Sequence, residues 1–191
     1  MEAAEETVDE FVRRKLALLP EFLQKLLQVA ACIGDDIDVC ALAKLFADVK
    51  LSQIEFAVQV ATAEGHLVYD SRNCISRFSH DRVRQAALSM VDGDRDAMSF
   101  SIGYRLWKNA SAMFLSEKIF VISNLLNCGI TSSVRTTTTT RMMDDQAERY
   151  RAASLNLEAG TKAASLAAFP DSCRYLAAGI EFMKGTNSND Y

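Results

Sequence analysis

The chain has 191 residues, 49% of them hydrophobic and 24% charged, which is the composition of a soluble globular protein with one or two small domains. Its formal net charge is −4 and it has no basic run, which argues against general attraction to nucleic-acid backbones or anionic membranes. With only 8 glycines and 2 prolines, the composition favours a mainly α protein over a turn-rich β fold.

The cysteines and the amino terminus indicate an intracellular compartment. The five cysteines are widely spread and form no Cys-x-x-Cys pair, so the sequence predicts reduced thiols without a metal site or a disulfide framework. Residues 1–10 carry five acidic groups and no basic one, unlike a secretory or transit peptide, and no run of about eighteen apolar residues is present to span a bilayer. We expect a soluble, cytoplasmic protein.

The first helical patterns precede a proline and a glycine. Residues 1–17 are expected to form an acidic amino-terminal helix or tail. Pro20 favours the first turn of a new helix over residues 21–33, and Gly34 is predicted to end that helix in the left-handed conformation.

Two more short helices follow. Residues 35–38 are predicted to be a polar turn in which Asp38 caps a helix over residues 39–46, and Ser52 is predicted to cap a third helix that Gly65 ends. The third helix should turn its apolar side inward at Ile54, Ala57, Val58 and Ala61. Three helices this short must pack on one another.

The periodicity then changes to alternation. Residues 66–69 and 74–78 read as two strands joined by the turn formers at 70–73, which predicts a β-hairpin. Three helices followed by a hairpin is the element order of a winged helix, and we assign residues 18–90 to one.

The strand that ends at Phe78 leads directly into another helix. Ser79 is predicted to cap that helix, with Asp81 in the first turn, where a carboxylate meets the positive helix end. His80 lies at this junction. From the residues alone, a lone histidine at the start of a helix is expected to be a structural group satisfied by backbone contacts.

Residues 91–129 are predicted to be a helical connector. A long helix is expected over residues 97–115, within which Gly103 indicates close packing against a neighbour. A second helix is expected over residues 117–126, closed by residues 127–129.

The carboxy-terminal part begins with a threonine-rich stretch. Residues 130–143 are predicted to be a linker, because an uncharged β-branched run packs poorly into a helix bundle. Residues 144–191 are predicted to be a helical hairpin like a tetratricopeptide repeat, broken at Pro170 and followed by a disordered tail. Small residues recur in it where paired helices of such a repeat cross. These are Ala159, Gly160, Ala163, Ser172 and Gly179, with Leu176 among them.

Several short motifs together resemble one family. They are Leu19-Pro20, residues 30–34, residues 77–83, Ile102-Gly103 and residues 157–163. The chain resembles STAND-class, AAA-type ATPase regulators that are linked to serine/threonine kinase or histidine kinase modules, and specifically the winged helix and first repeats that follow their ATPase core. The resemblance implies that His80 approaches the β-phosphate of bound ADP, with Asp81 fixing the turn.

The sequence contains no set of residues with the spacing that a common catalytic or phosphate-binding motif requires. Gly160-Thr161-Lys162 lacks the spacing of a P-loop, and His66 and His80 lack further ligands for a metal. Ser79-His80-Asp81 is a literal tripeptide, whereas catalytic triads assemble from distant positions. We therefore expect no enzyme activity, no metal and no cofactor in this chain, with ATP or ADP reached only through an absent or partner ATPase core.

Two functions remain. The first is a non-catalytic regulatory fragment of a signalling ATPase, in which the winged helix docks on an ATPase core and the helical repeat binds a protein partner. The second is a nucleic-acid-binding winged helix, ranked lower because its reading helix, residues 51–64, carries Glu55 and Glu64 and no basic residue, with only Lys50 before it and Arg72 in the wing. A truncated or split gene product, a mispredicted gene and a stand-alone partner are equally open, and the sequence does not indicate the oligomeric state.

Overall fold

The apolar residues pack into a mainly helical fold with one small antiparallel sheet. The computed structural model describes residues 7–46, 48–131 and 145–184. This fold confirms the mainly α class. The chain separates into two compact units, Met1–Arg95 and Asp96–Tyr191. The start of the expected acidic helix, residues 132–143 of the threonine-rich linker and the expected tail at 185–191 lie outside the described residues.

The described part of the first unit contains helices and strands in mixed order. They are α1 (Val8–Ala17), α2 (Glu21–Ile33), β1 (Ile37–Asp38), α3 (Val39–Leu45), α4 (Leu51–Ala63), β2 (Leu67–Asp70), β3 (Ile75–Phe78) and α5 (Asp81–Ser89). The core forms where α2, α3 and α4 turn their apolar sides together over the sheet, with α1 and α2 both packed against α5. Its fully buried side chains include Leu26, Leu42, Ile54, Val58 and Leu67.

Two helices of this unit begin at N-cap residues whose side chains accept hydrogen bonds from the backbone of the first turn. Thr7 and Glu10 form a reciprocal capping box at α1, in which each residue's backbone N–H donates to the other's side chain. The predicted cap Asp38 is confirmed, because its Oδ1 accepts from the backbone N–H of Ala41 at 3.0 Å. The inward positions predicted for α4 are also confirmed, since Ile54, Ala57, Val58 and Ala61 are all buried.

The sheet has the order β1-β3-β2, with all pairs antiparallel. The predicted hairpin is confirmed by the register that pairs Leu67 with Phe78. The prediction of a turn over residues 35–38 is wrong, because Ile37 and Asp38 pair with β3 as a third strand. Ile37 is fully buried there. A strand of two residues is too short to show alternating polar and apolar positions, so the sequence did not predict it.

Other predicted helix ends in this unit also differ. Ser52 is not the cap of α4, which begins at Leu51 after Lys50, whose backbone N–H donates to Gln53 Oε1 at 3.1 Å. Gly34 ends α2 with φ +131° and ψ −152°, a positive-φ conformation outside the left-handed helical region that was predicted. Gly65 ends α4 with φ +76°, as expected for a glycine cap.

The second unit is helical throughout its described residues. Its helices are α6 (Arg95–Lys108), whose first residue belongs to the first unit, α7 (Ala112–Glu117), α8 (Ile119–Thr131), α9 (Gln146–Ser165) and α10 (Phe169–Lys184). The single helix predicted over residues 97–115 is wrong: Ser111 starts a new helix, its Oγ accepting from the backbone N–H of Phe114 at 3.2 Å. The predicted stop at residues 127–129 is also wrong, because α8 continues to Thr131.

α9 and α10 pack as an antiparallel hairpin joined by a short turn in which Ala167 has φ +58°. Pro170 lies in the first turn of α10 and not before the helix. Its missing N–H costs no hydrogen bond there, because the N–H groups of a first turn have no partner within the helix. The two helices approach at Gly160 and Gly179. A Cβ at Gly160 would lie 2.9 Å from Leu176 Cγ, and one at Gly179 would lie 3.3 Å from the carbonyl oxygen of Ala153.

α8 joins this hairpin through polar and aromatic contacts. Asn127 and Asn156 exchange reciprocal side-chain amide hydrogen bonds of 2.8 and 3.1 Å, which satisfy the fully buried Asn156. The rings of Phe120 and Tyr175 stack with centroids 5.7 Å apart. From the other side of the unit, α6 is tied to α9 by Tyr104 and Lys108, both of which donate to Glu148.

Candidate functional site

The junction between β3 and α5 is built from backbone contacts to the end of α4. The backbone N–H of Ser79 donates to the carbonyl oxygen of His66 at 3.0 Å, and Ser79 Oγ donates to the carbonyl oxygen of Gly65 at 2.6 Å. The predicted capping role of Ser79 is therefore wrong, because its hydroxyl is directed to the preceding helix. The N-cap of α5 is His80.

His80 has an extended backbone, with φ −148° and ψ 147°, and its carbonyl oxygen accepts from Val83 at 3.0 Å. Its imidazole makes no capping hydrogen bond, and the residue is exposed. Asp81, the first residue of the helix, is exposed beside it. The structure thus presents both predicted site residues together at the surface, at the amino-terminal end of α5.

Two arginines tie this junction to the loop after α2. Arg77 of β3 pairs with Asp36. Arg84 of α5 reaches Asp35 with Nη1 at 3.3 Å and donates from Nε to the carbonyl oxygen of Ala31 at 3.2 Å. Because Arg84 anchors the first turn of α5 to α2, the amino-terminal end of α5 is held in place by the body of the unit.

The other histidine, His66, is buried. Only 7% of its surface is exposed, at the start of the hairpin. Burial holds its pKa below the ordinary value, and Lys15 adds to that shift, while the carboxylate of Glu64 acts in the opposite direction. His66 is therefore part of the core, whereas His80 stands at the surface.

A second surface of this unit lies along α4. A groove of about 480 Å³ opens where α4 meets the start of α2. Phe56 is its most exposed aromatic side chain, 66% accessible, and Phe22, Val49 and Val60 lie around it. The only charged residue within α4 is Glu55. Sequence reasoning did not single this surface out, although assigning Ile54, Ala57 and Val58 inward leaves Phe56 facing out.

Within the described ranges, no three histidine, cysteine, aspartate or glutamate side chains come together as a potential metal site. No helix there has both the length and the apolar character to cross a membrane. No protein-family model matches the chain, no curated protein is significantly similar to it, and no solved structure gives a significant match. The case for a function therefore depends on the geometry of these two surfaces.

Proposed function

We propose that this chain is a non-catalytic regulatory and protein-interaction fragment of a STAND-class ATPase signalling protein. Its first unit is a winged helix that docks on an ATPase core, and His80 at the start of α5 meets the β-phosphate of ADP held in that core. Its second unit is a repeat of the tetratricopeptide type that binds a protein partner.

The observation that carries the proposal is the topology of the first unit. Helix α2 is followed by β1, α3, α4, β2 and β3, and β3 lies between β1 and β2 in the sheet. A winged helix has this order, with its wing between the last two strands. In this chain the wing corresponds to the turn between Asp70 and Ile75.

The position of His80 agrees with a role in contact with another molecule. Its ring is exposed, makes no bond to its own helix cap, and stands at the amino-terminal end of a helix whose partial positive charge favours a phosphate. The Arg84 anchor holds that end in place. A phosphate approaching α5 would therefore meet a fixed end of the helix and the His80 side chain together.

The surface of α4 favours a protein partner over a nucleic acid. In a winged helix that reads DNA, this helix enters the major groove and requires cationic and amide side chains. Here the exposed face carries Leu51 and Phe56, which are 45% and 66% accessible, and no cation lies within the helix. A nucleic-acid-binding winged helix remains the second candidate, supported by Lys50 and Arg72 alone.

The second unit supports the repeat assignment through its crossing residues. Gly160 and Gly179, which carry no side chain, lie where α9 and α10 approach closely. Helix pairs of repeat proteins need small residues at such crossings, and each pair covers its apolar side against a neighbour.

Replacing His80 with alanine tests the proposal. We expect His80→Ala to change the free energy of unfolding by less than about 0.5 kcal/mol, as for other exposed residues. The same change should weaken binding of the chain to a STAND-class ATPase core loaded with ADP. Circular dichroism and titration calorimetry measure the two effects.

Gln85→Ala is the matched control, because Gln85 is an exposed residue of the same helix. It should leave both the stability and the binding unchanged. Equal binding by wild type and His80→Ala would refute the nucleotide-sensing role, and a sequence-selective, nanomolar DNA complex at physiological salt would favour the second candidate.

A further inference from the structure

Two exposed cysteines of the first unit stand where the start of α3 meets the end of the hairpin turn. Cys40 lies in the first turn of α3, and Cys74 is the residue directly before β3. The backbone N–H of Val39 donates to the carbonyl oxygen of Cys74 at 3.1 Å, which continues the register that pairs Asp38 with Ile75.

This backbone bond sets the distance between the two cysteines. Residues that are hydrogen-bonded across antiparallel strands have Cα atoms about 5.5 Å apart. Disulfides join cysteines whose Cα atoms are roughly 4.4–6.8 Å apart. Because Cys40 directly follows Val39, the fold brings Cys40 and Cys74 to within one residue of that separation.

The side chains of the two cysteines also lie near each other. Partial burial of the sulfur is the largest cause that raises the pKa of Cys40. Nearby negative charge raises that pKa further, and Lys44 acts in the opposite direction; the groups that raise it are Asp38, Cys74 and Glu55. The effect of one charge on another declines with distance, so the thiols of Cys40 and Cys74 are neighbours.

Tyr69 of β2 is the third member of this cluster. Partial burial raises the pKa of its hydroxyl, and its interaction with the Cys74 thiol is the next cause. A charge on Cys40 acts on Tyr69 in the same direction. The two thiols and the tyrosine hydroxyl therefore gather at one end of the sheet.

The loops that carry the two cysteines are held by their own hydrogen bonds. Asp38 caps α3 on one side. On the other side, the Asp70 carboxylate accepts from the backbone N–H of Arg72 at 3.0 Å and from the side chain of Asn73 at 2.8 Å. Cys74 then ends the turn with φ +54°, a left-handed conformation that is strained for a residue of this kind. The thiols are thus pre-positioned, which favours their reaction with each other.

We propose that Cys40 and Cys74 are a redox pair, which a small disulfide of the glutathione type converts into an intramolecular disulfide. The bond fastens the hairpin turn to α3 and closes the loop of residues 40–74, which contains α4 and β2. The reduced pair, with both thiols free, is the state of this structure. The proposal is independent of the role proposed for His80.

The bond forms by two thiol–disulfide exchanges. The Cys74 thiolate attacks one sulfur of oxidised glutathione, and the departing glutathione thiolate takes up the proton that Cys74 lost. Cys40 then loses its proton to solvent, and its thiolate attacks the Cys74 sulfur and releases the second glutathione, which is protonated in turn. Two protein thiols are oxidised by two electrons, and one glutathione disulfide is reduced to two glutathiones. Cys74 reacts first, because the raised pKa of Cys40 keeps that thiol protonated.

Peptide mapping of the folded, full-length chain tests the link. The reduced chain is treated with oxidised glutathione, its remaining thiols are alkylated, and it is digested without reduction. Cleavage on the amino side of aspartate isolates Cys40 in residues 38–47, apart from Cys32, and isolates Cys74 in residues 70–80. Mass spectrometry should find these two peptides joined, and dithiothreitol should separate them.

Single substitutions test the order of the two steps. In Cys40→Ser, Cys74 has no thiol to displace its glutathione, so one glutathione should remain attached. In Cys74→Ser, Cys40 should take up glutathione roughly threefold or more slowly than Cys74 does in Cys40→Ser. Cys173→Ser is the matched control, because Cys173 is an exposed cysteine of the second unit. It should leave the joining of Cys40 to Cys74 unchanged.

Thermal unfolding measures what the bond does to the first unit. Cross-linking residues 40 and 74 restricts the unfolded chain, so the midpoint of the first unit should rise by about 5–15 °C in the glutathione-treated chain. Dithiothreitol should reverse the rise. Cys40→Ser, treated in the same way, should show no such rise.

Three results would overturn the proposal. Attachment of glutathione to both Cys40 and Cys74 of the wild type, without a link between them, would show that the thiols do not meet in the folded chain. Equal rates of glutathione uptake by the two single variants would contradict the assignment of Cys74 as the first to react. A linked chain with an unchanged unfolding midpoint would show that the bond does not fasten the turn to α3.

Discussion

The two histidines of the chain show how burial separates residues that look alike in the sequence. His66 is packed under the hairpin and its pKa lies below the ordinary value because of that burial, whereas His80 stands at the surface. The few residues around each histidine give no direct measure of its burial. The structure supplies it by placing His66 at the end of α4, facing the unit's interior.

The buried histidine makes the stability of the chain depend on pH. An unfolded histidine binds a proton with a pKa of about 6.5. The folded pKa of His66 is lower, so the unfolded chain binds more protons below that pH, and the free energy of unfolding should fall as pH drops through about 6.5 towards the folded pKa. Chemical unfolding between pH 7.5 and 5.5, a window in which ordinary carboxylates stay ionised, measures the fall.

His66→Gln is the variant that removes this titration while keeping a polar side chain. Its free energy of unfolding should change less over the same pH window than that of the wild type, even if its absolute stability is lower. An equally steep fall in the variant would show that other groups, and not His66, carry the pH dependence.

At the scale of elements, Gly103 is a position where α6 and α8 approach closely. A Cβ on Gly103 of α6 would stand 2.6 Å from Leu125 Cβ and 3.0 Å from the backbone carbon of Leu125, too close for either to remain in place. The sequence predicted close packing here from a glycine inside a helix, and the structure confirms it.

Gly103→Ala should therefore destabilise the second unit. Alanine gains about 1 kcal/mol of helix propensity over glycine. Overpacking against backbone that cannot move costs about 1–3 kcal/mol. We expect the cost to exceed the gain, with a net loss on the order of 1 kcal/mol, measured by chemical unfolding.

Gly160→Ala is the matched control, since Gly160 also lies inside a helix. The atoms that its Cβ would meet first belong to the side chain of Leu176, which is 39% accessible and can move aside. Its free energy of unfolding should change less than that of Gly103→Ala. A gain in stability for Gly103→Ala would contradict the close approach of α6 and α8.

What the sequence predicted about the elements follows from how far each signal extends. The hairpin and the inward side of α4 were predicted because alternation and helical spacing persist over several residues. β1 was missed because a strand of two residues is too short to show alternation. The ends of α6 and α8 were misplaced because a single residue decides each one: Ser111 starts a new helix, and Gly129 does not stop α8. The caps at Ser52 and Ser79 failed because a serine hydroxyl has several backbone partners, and tertiary structure chooses among them.

For the candidate site, the sequence proposed two residues but could not show their surroundings. His80 and Asp81 were proposed from a short motif. The motif could not show that both side chains would be exposed at the surface. The groove beside Phe56 depends on which side of α4 the rest of its unit covers. That is a property of packing between elements distant in the chain.

At the scale of the whole molecule, each of the two units has its own core. In the first unit, Leu26, Ile54 and Val58 are completely buried, as are Ile122 and Leu126 in the second. The division falls after Arg95, two residues beyond Gly93, whose φ of +85° marks a turn. A chain with two separate cores should survive division between them.

We therefore expect fragments 1–93 and 94–191 each to fold when expressed alone. The summed far-ultraviolet circular dichroism of the two should reproduce that of the full chain, because no helix or strand is cut between Gly93 and Asp94. Each fragment should also unfold cooperatively with temperature, because the side chains of its core all come from that fragment.

A cut between Ser123 and Asn124, inside α8, is the control. It should leave the carboxy-terminal piece without a cooperative transition, because that piece loses the buried Phe100 and Ile122. If fragment 94–191 were unfolded, the assignment of a separate core to the second unit would be wrong.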